Sequence, residues 1–159
     1  MRVLLLRSLF FAILIPGMMV GLIPYWVAGE EARRRPWDAL GWLALVPLSI
    51  GIAVLGACIR DFLAVGQGTL APIDPPKHLV RAGLYRYVRN PMYLGALLVL
   101  IAQTLLFQSS ALVLYTLLWF GAVNAMVYFY EEPHLRREFG EPYAGYCRTV
   151  RRWVPRWPV

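Results

Sequence analysis

Two short polar motifs in this chain have the residue types that bind a charged small molecule. The first is Asn90 and Pro91 with Tyr93 just behind them, and the second is the acidic pair Glu131 and Glu132. Asn is a good N-cap and Pro suits the first helical position, so a helix is predicted to begin at Pro91 with free backbone N–H groups. Such a helix start binds anions, whereas tyrosine rings attract cations such as a sulfonium.

The acidic pair lies where a helix is predicted to end, and each carboxylate there is unfavourable by roughly 0.3–1 kcal/mol. Two acids in this place, close to a membrane surface, call for a cationic or hydroxyl-rich partner. One interpretation is an internal ion-pair cluster with Arg136 and Arg137. The other is a bound ligand, and S-adenosylmethionine matches the whole set because it is zwitterionic and carries a sulfonium and ribose hydroxyls.

An uncharged hairpin is predicted to bring the two motifs together. Positions 91–130 contain no Lys, Arg, Asp, Glu or His. A bilayer crossing needs about 20 apolar residues, so this run is long enough for two, over 91–108 and 110–130. Gln108, Ser109 and Ser110 form the natural turn. Both ends of such a hairpin lie on the same side of the membrane.

The remaining elements predict an all-α integral membrane protein with four transmembrane helices. Uncharged stretches at 8–28 and 39–59 supply the first two spans, and the first is expected to remain uncleaved. Short interfacial helices are expected within 133–152, with a break at Gly140, and with the cytoplasmic loop they would form the cofactor site. At 59% hydrophobic the chain exceeds the roughly 45–50% of soluble proteins, so residues 1–159 are predicted to be one membrane-embedded domain.

The basic residues predict the orientation of this domain. With four spans, 13 of the 16 Lys and Arg residues fall on the side that holds both termini and the 60–90 loop. The positive-inside rule places that side in the cytoplasm, most simply across a bacterial inner membrane, and explains the net charge of +7 without nucleic acid. Cys58 and Cys147 are isolated, so no metal site is predicted.

Two ordered motifs resemble the isoprenylcysteine carboxyl methyltransferase family, and related membrane phospholipid N-methyltransferases share the outline. The resemblance runs from His78 to Pro155, about half of the chain. The residues that carry it in the first motif are His78, Leu79, Val80, Gly83, Tyr85, Arg89, Asn90, Pro91, Tyr93 and Gly95. Those in the second are Glu131, Glu132, Leu135, Phe139, Gly140, Tyr143 and Tyr146.

The resemblance implies an S-adenosylmethionine-dependent methyltransferase that acts on a lipidic or membrane-partitioned acceptor. It implies a cofactor pocket lined by Lys77, His78, Leu79, Val80, Tyr85, Asn90, Pro91, Met92, Tyr93 and Glu131. Candidates for contact with the reacting groups are Arg89, Glu132 and Arg136. Methyl transfer from a sulfonium needs mainly alignment and desolvation, so no triad or metal is required.

The chain departs from this family at two positions. The family usually has His where this chain has Asn90, and Asn cannot carry charge for proton transfer. The eukaryotic prenylcysteine enzymes have an Arg, thought to hold the substrate carboxylate, where this chain has Val127. The sequence therefore leaves the acceptor open between a carboxylate, a phospholipid amine and a small thiol or amine. A non-enzymatic membrane scaffold is the alternative from another class.

Overall fold

The computed structural model describes residues 13–61, 64 and 79–157, and the regular elements in these ranges are all helical. A π-helical segment, Ile13–Leu22, leads into α1 (Ile23–Arg33), which is followed by α2 (Ala39–Asp61). After the short 3-10 helix Gly83–Arg86 come α3 (Pro91–Phe107) and α4 (Ser110–Met126). A π-helical turn, Val127–Glu131, joins α4 directly to α5 (Glu132–Thr149).

Among the described residues, two helices are long and apolar enough to cross a membrane. One is α2, and the other is the helical run from Ser110 to Thr149, whose apolar part is α4. Helix α3 is equally apolar but has only 17 residues. The predicted spans at 39–59, 91–108 and 110–130 coincide with α2, α3 and α4, while part of the predicted 8–28 span lies outside the described residues.

Helices α2 and α3 make the most extensive helix–helix contact of the described fold. A Cβ atom added to Gly51 would lie 2.8 Å from the Gly95 carbonyl oxygen, and one added to Gly95 would lie 2.9 Å from Val54 Cγ1. Two glycines thus let the backbones approach closely, as small residues do between helices in lipid.

The α3–α4 turn confirms the predicted hairpin. Helix α3 ends before Gln108, whose φ of 48° reverses the chain, and α4 begins at Ser110. The Gln108 side-chain amide donates a hydrogen bond to Asp38 Oδ2 over 2.7 Å. That bond and the Gly41 amide hold the pKa of Asp38 below its ordinary value. The hairpin tip is thereby tied to the loop between α1 and α2.

The C-terminal region differs in part from the prediction of helices up to position 152. Gly140 breaks the helix as expected, with φ of 55°, and Tyr143, Tyr146 and Val150 form a buried cluster. However, α5 ends at Thr149 because the chain then turns extended and pairs with the segment before α3. Two backbone hydrogen bonds join these segments: Arg89 N donates to Arg151 O (2.9 Å), and Arg156 N donates to Tyr87 O (2.8 Å).

Candidate methyl-donor site

A hydrogen bond joins the two motifs singled out in the sequence. The Tyr93 hydroxyl, in the first turn of α3, donates to Glu131 Oε2 over 3.0 Å. The hairpin brings these residues together because each stands at the end of one of its arms. Burial raises the pKa of the Glu131 carboxyl, the Tyr93 bond partly offsets this, and the negative charge of Glu132 adds to the increase.

Glu131 has no ion-pair partner within the described ranges, although it is only half-exposed. A carboxylate in that state favours a cation or hydroxyl donor as its partner. The start of α3 lies beside it. Asn90 forms no side-chain cap there, so its side chain leaves the first N–H groups of the helix to other polar partners, which a ligand can supply.

Glu132 plays a different part from its neighbour. It is 6% exposed and pairs with Arg89 Nη1 at 2.9 Å and with Arg152 Nε at 2.7 Å. The hydrogen bond to Glu132 raises the pKa of Arg152. The ion-pair interpretation of the acidic pair is thus correct for Glu132, but with different arginines.

The ion-pair interpretation named Arg136 and Arg137, and the structure corrects those partners. Both lie exposed on α5, and neither forms an ion pair in the part of the chain that is described. Arg89, in contrast, is held beside Glu132 and also donates to Cys147 Sγ over 2.9 Å.

Asn90 is buried, but its side chain does not cap α3 as the sequence suggested. Its Nδ2 donates instead to the backbone oxygen of Arg152 over 3.3 Å. The Asn90 side-chain amide makes this bond because the extended segment after α5 packs against it. Asn90 therefore ties that segment to the start of α3, where Pro91 occupies the first helical position as predicted.

The segment before α3 closes another side of the site. The Tyr146 hydroxyl of α5 donates to the Tyr85 carbonyl oxygen over 2.6 Å, and Leu79 packs against the tyrosine cluster of α5. Burial raises the pKa of Tyr85 well above its usual value, and Glu131 contributes to this increase. Val80 is buried, Met92 is half-buried, and Lys77 and His78 lie outside the described residues.

Sequence reasoning missed two residues at this site. Trp153 packs against Phe120 and against the ring of Tyr93, with ring centroids 5.2 and 6.4 Å apart. Its indole N–H donates to Asn124 Oδ1 over 2.9 Å. Arg152 is the second, through its ion pair with Glu132. The contacts of these two residues have no local signal in the sequence, because the residues that they join lie 20 or more positions apart.

A comparison with known protein families finds a match. The family profile of phospholipid methyltransferases matches residues 45–142, which include α3, α4, Asn90, Tyr93 and the pair Glu131 and Glu132. A phosphatidylethanolamine N-methyltransferase of Laccaria bicolor is 25% identical over 142 residues, which cover 82% of this chain but 14% of that protein. An uncharacterized Haemophilus influenzae protein is 36% identical over 63 residues, 40% of this chain and all of the relative. No solved structure matches significantly.

The profile covers more than half of the chain and contains the Tyr93–Glu131 contact. The described helices include apolar ones long enough to cross a bilayer, as is expected of a membrane protein. The chain therefore belongs to the phospholipid methyltransferase family.

Proposed function

We propose that this protein transfers a methyl group from S-adenosylmethionine to the amine of a membrane phospholipid. The observation that carries the proposal is the Tyr93–Glu131 hydrogen bond, which places a carboxylate without an ion-pair partner in the described ranges beside an uncapped helix start. It lies at the end of two apolar helices, where a lipid headgroup meets the protein.

The residues of this end fit the methyl donor. Glu131 would accept hydrogen bonds from ribose hydroxyls or attract the cationic portion, and the first amides of α3 would bind the carboxylate end. Tyr85 and Tyr93 offer ring faces for the sulfonium. When bound, S-adenosylmethionine supplies an activated methyl group, so the chain's own task is to align the acceptor and exclude water.

The acceptor class follows from the charges around Glu131. Val127, one helical turn earlier, is 1% exposed and brings no cation to this face. Arg89 and Arg152 are bound to Glu132. None of these three residues offers a free cation to a carboxylate beside Glu131, and this favours a neutral or cationic acceptor.

A second candidate is carboxyl methylation of a prenylcysteine, favoured by the order and spacing of the two motifs. For that reaction, Arg89 would have to break its ion pair with Glu132 in order to bind the carboxylate of the substrate. A small membrane-partitioned thiol or amine is a third acceptor class. The proposal also includes four crossings within a single domain, with both termini and the site on the cytoplasmic side of a bacterial inner membrane.

Transfer of labelled methyl from S-adenosylmethionine tests the acceptor. Dioleoylphosphatidylethanolamine and an N-acetyl farnesylcysteine are offered to the same membranes, with Glu131→Gln membranes as the control for background transfer. Label in the phospholipid that depends on Glu131 is the expected result. Efficient methylation of the farnesylcysteine without transfer to the amine would overturn the amine assignment. Absence of cofactor binding would overturn the enzymatic function itself.

A further inference from the structure

An arginine-lined cavity lies between the segment that precedes α3 and the end of α5. It has a volume of about 430 Å³ and contains neither Tyr93 nor Glu131. Its lining consists of Arg81, Arg86, Tyr146, Arg148, Thr149, Val150 and Arg156. Four arginines and no carboxylate thus face one space, which the methyl-donor site does not use.

Internal partners neutralise only part of this charge. Arg148 pairs with Glu141 at 2.6 Å, while Arg81 donates to the Pro142 carbonyl oxygen and lies over the Tyr146 ring. Arg86 and Arg156 form no ion pair among the described residues. Converging like charges repel one another unless an anion joins them, so the cavity carries a positive charge that a ligand can use.

The cavity is also held in shape by backbone contacts. Arg156 N donates to Tyr87 O over 2.8 Å, and Val88 pairs with Arg151 as a parallel bridge. These contacts fix the two chain segments that carry Arg86 and Arg156. Because the backbone of both segments is positioned in advance, less of the chain has to be ordered when a ligand binds.

The chemistry of the lining selects a phosphate group. A guanidinium presents donors in a planar fork that matches phosphate oxygens, and this pairing is stronger than a neutral hydrogen bond. The volume is in the range of small-ligand pockets and exceeds what one phosphate needs. A phosphate carrying a further polar group, such as glycerol, therefore suits the cavity.

The surroundings select a lipid as the source of this phosphate. Arg156 is flanked by Val154 and Trp157, which are 58% and 82% exposed, and Trp157 packs edge-on against Tyr87. Exposed aromatic and apolar residues beside arginines are typical of a surface that lies in the membrane interface. Arg86 also directly precedes the apolar helix α3.

We propose that this arginine-lined cavity binds the phosphate of an anionic membrane phospholipid, at a site separate from that of methyl transfer. Lipid bound there would hold the segment before α3 and the segment after α5 against the membrane surface. The inference stands independently of the acceptor, because it concerns binding and not the reaction.

Native mass spectrometry of the full chain, released from neutral detergent micelles, measures this binding. The probe is dioleoylphosphatidylglycerol, and dioleoylglycerol is the matched lipid without phosphate. The double variant Arg86→Ala/Arg156→Ala removes two unpaired cations and keeps the Arg156 backbone bond. The control Arg137→Ala/Arg151→Ala removes the same charge from exposed positions that do not line the cavity.

We expect the wild type and the control to bind the phospholipid alike, and the cavity variant to bind it about tenfold more weakly or worse. Dioleoylglycerol should bind none of them measurably. Equal weakening in both double variants would show attraction by net charge and would overturn the site. If inorganic phosphate or glycerol 3-phosphate binds the wild type as tightly as the lipid does, the membrane source is wrong. An unchanged midpoint of thermal unfolding in each variant shows that its fold is intact.

Discussion

Glu132 and Arg152 form a two-point ion pair. Arg152 Nε lies 2.7 Å from Glu132 Oε1, and Nη2 lies 2.8 Å from Oε2. Arg89 shares Oε1 from the other side at 2.9 Å. One buried carboxylate therefore joins the segment before α3, the start of α5 and the segment after it.

Replacing Glu132 with Gln should destabilise the protein strongly. The variant would leave Arg89 and Arg152 partly buried without their counter-charge, and breaking a buried pair in this way costs about 3–5 kcal/mol. The midpoint of thermal unfolding in detergent measures the loss. Glu141→Gln is the matched control, because its pair with Arg148 is exposed and worth about 0–1 kcal/mol. Equal midpoints in both variants would contradict this central role.

Glu131→Gln should weaken the binding of the cofactor without destabilising the fold. The substitution nearly keeps the shape of the side chain and removes its charge. Loss of a hydrogen bond to a charged group costs about 1.5–3 kcal/mol, so the Kd for S-adenosylmethionine should rise about 10- to 150-fold. Calorimetry on purified protein measures this, with Glu138→Gln on the exposed side of α5 as the control. Unchanged affinity in a folded variant would remove Glu131 from the site.

Gly83→Ala should be more harmful than the same change at Gly140. Both glycines have φ of 55°, so alanine is strained at each by about 1 kcal/mol. At Gly140 a Cβ would meet nothing within 4 Å, whereas at Gly83 it would lie 1.8 Å from Asp61 Oδ2. Asp61 is buried and cannot move freely. Comparing the midpoints of thermal unfolding of the two variants separates the effect of the clash from that of the backbone strain. A smaller decrease for Gly83→Ala than for Gly140→Ala would contradict the close contact between Gly83 and Asp61.

Reporter fusions test the proposed orientation. Because 13 of the 16 basic residues lie on one side of a four-span arrangement, both termini should be cytoplasmic. A reporter that is active only in the cytoplasm should therefore give the same signal from either end. Opposite signals would indicate an odd number of crossings.

Regular elements were predictable because their signals are local. The uncharged run at 91–130 located α3 and α4, the turn at Gln108 followed from three polar residues, and Gly140 broke the helix as expected. The Tyr93–Glu131 contact followed from hairpin geometry. Each of these inferences needed only length, polarity and the two ends of one hairpin.

The ion pairs were not predictable in the same way. Arg136 and Arg137 lie one turn from the acidic pair, yet Glu132 selects Arg89 and Arg152, which come from two other segments. Which arginines pair with Glu132 depends on how the segment after α5 folds back towards α3. No periodic pattern in the sequence indicates that this segment folds back. Likewise, nothing in the sequence around Gly51 marks it as the residue of α2 that makes the close approach to α3.

The fold-back of the segment after α5 sets an order of events during biosynthesis. Arg152 and Trp153 complete contacts to Glu132, Asn90 and Asn124, but they leave the ribosome after all of these residues. Helices α3 and α4 and residue Glu132 are therefore all synthesised before the second arginine of the ion-pair cluster. A nascent chain interrupted before residue 150 would lack each of these closing contacts.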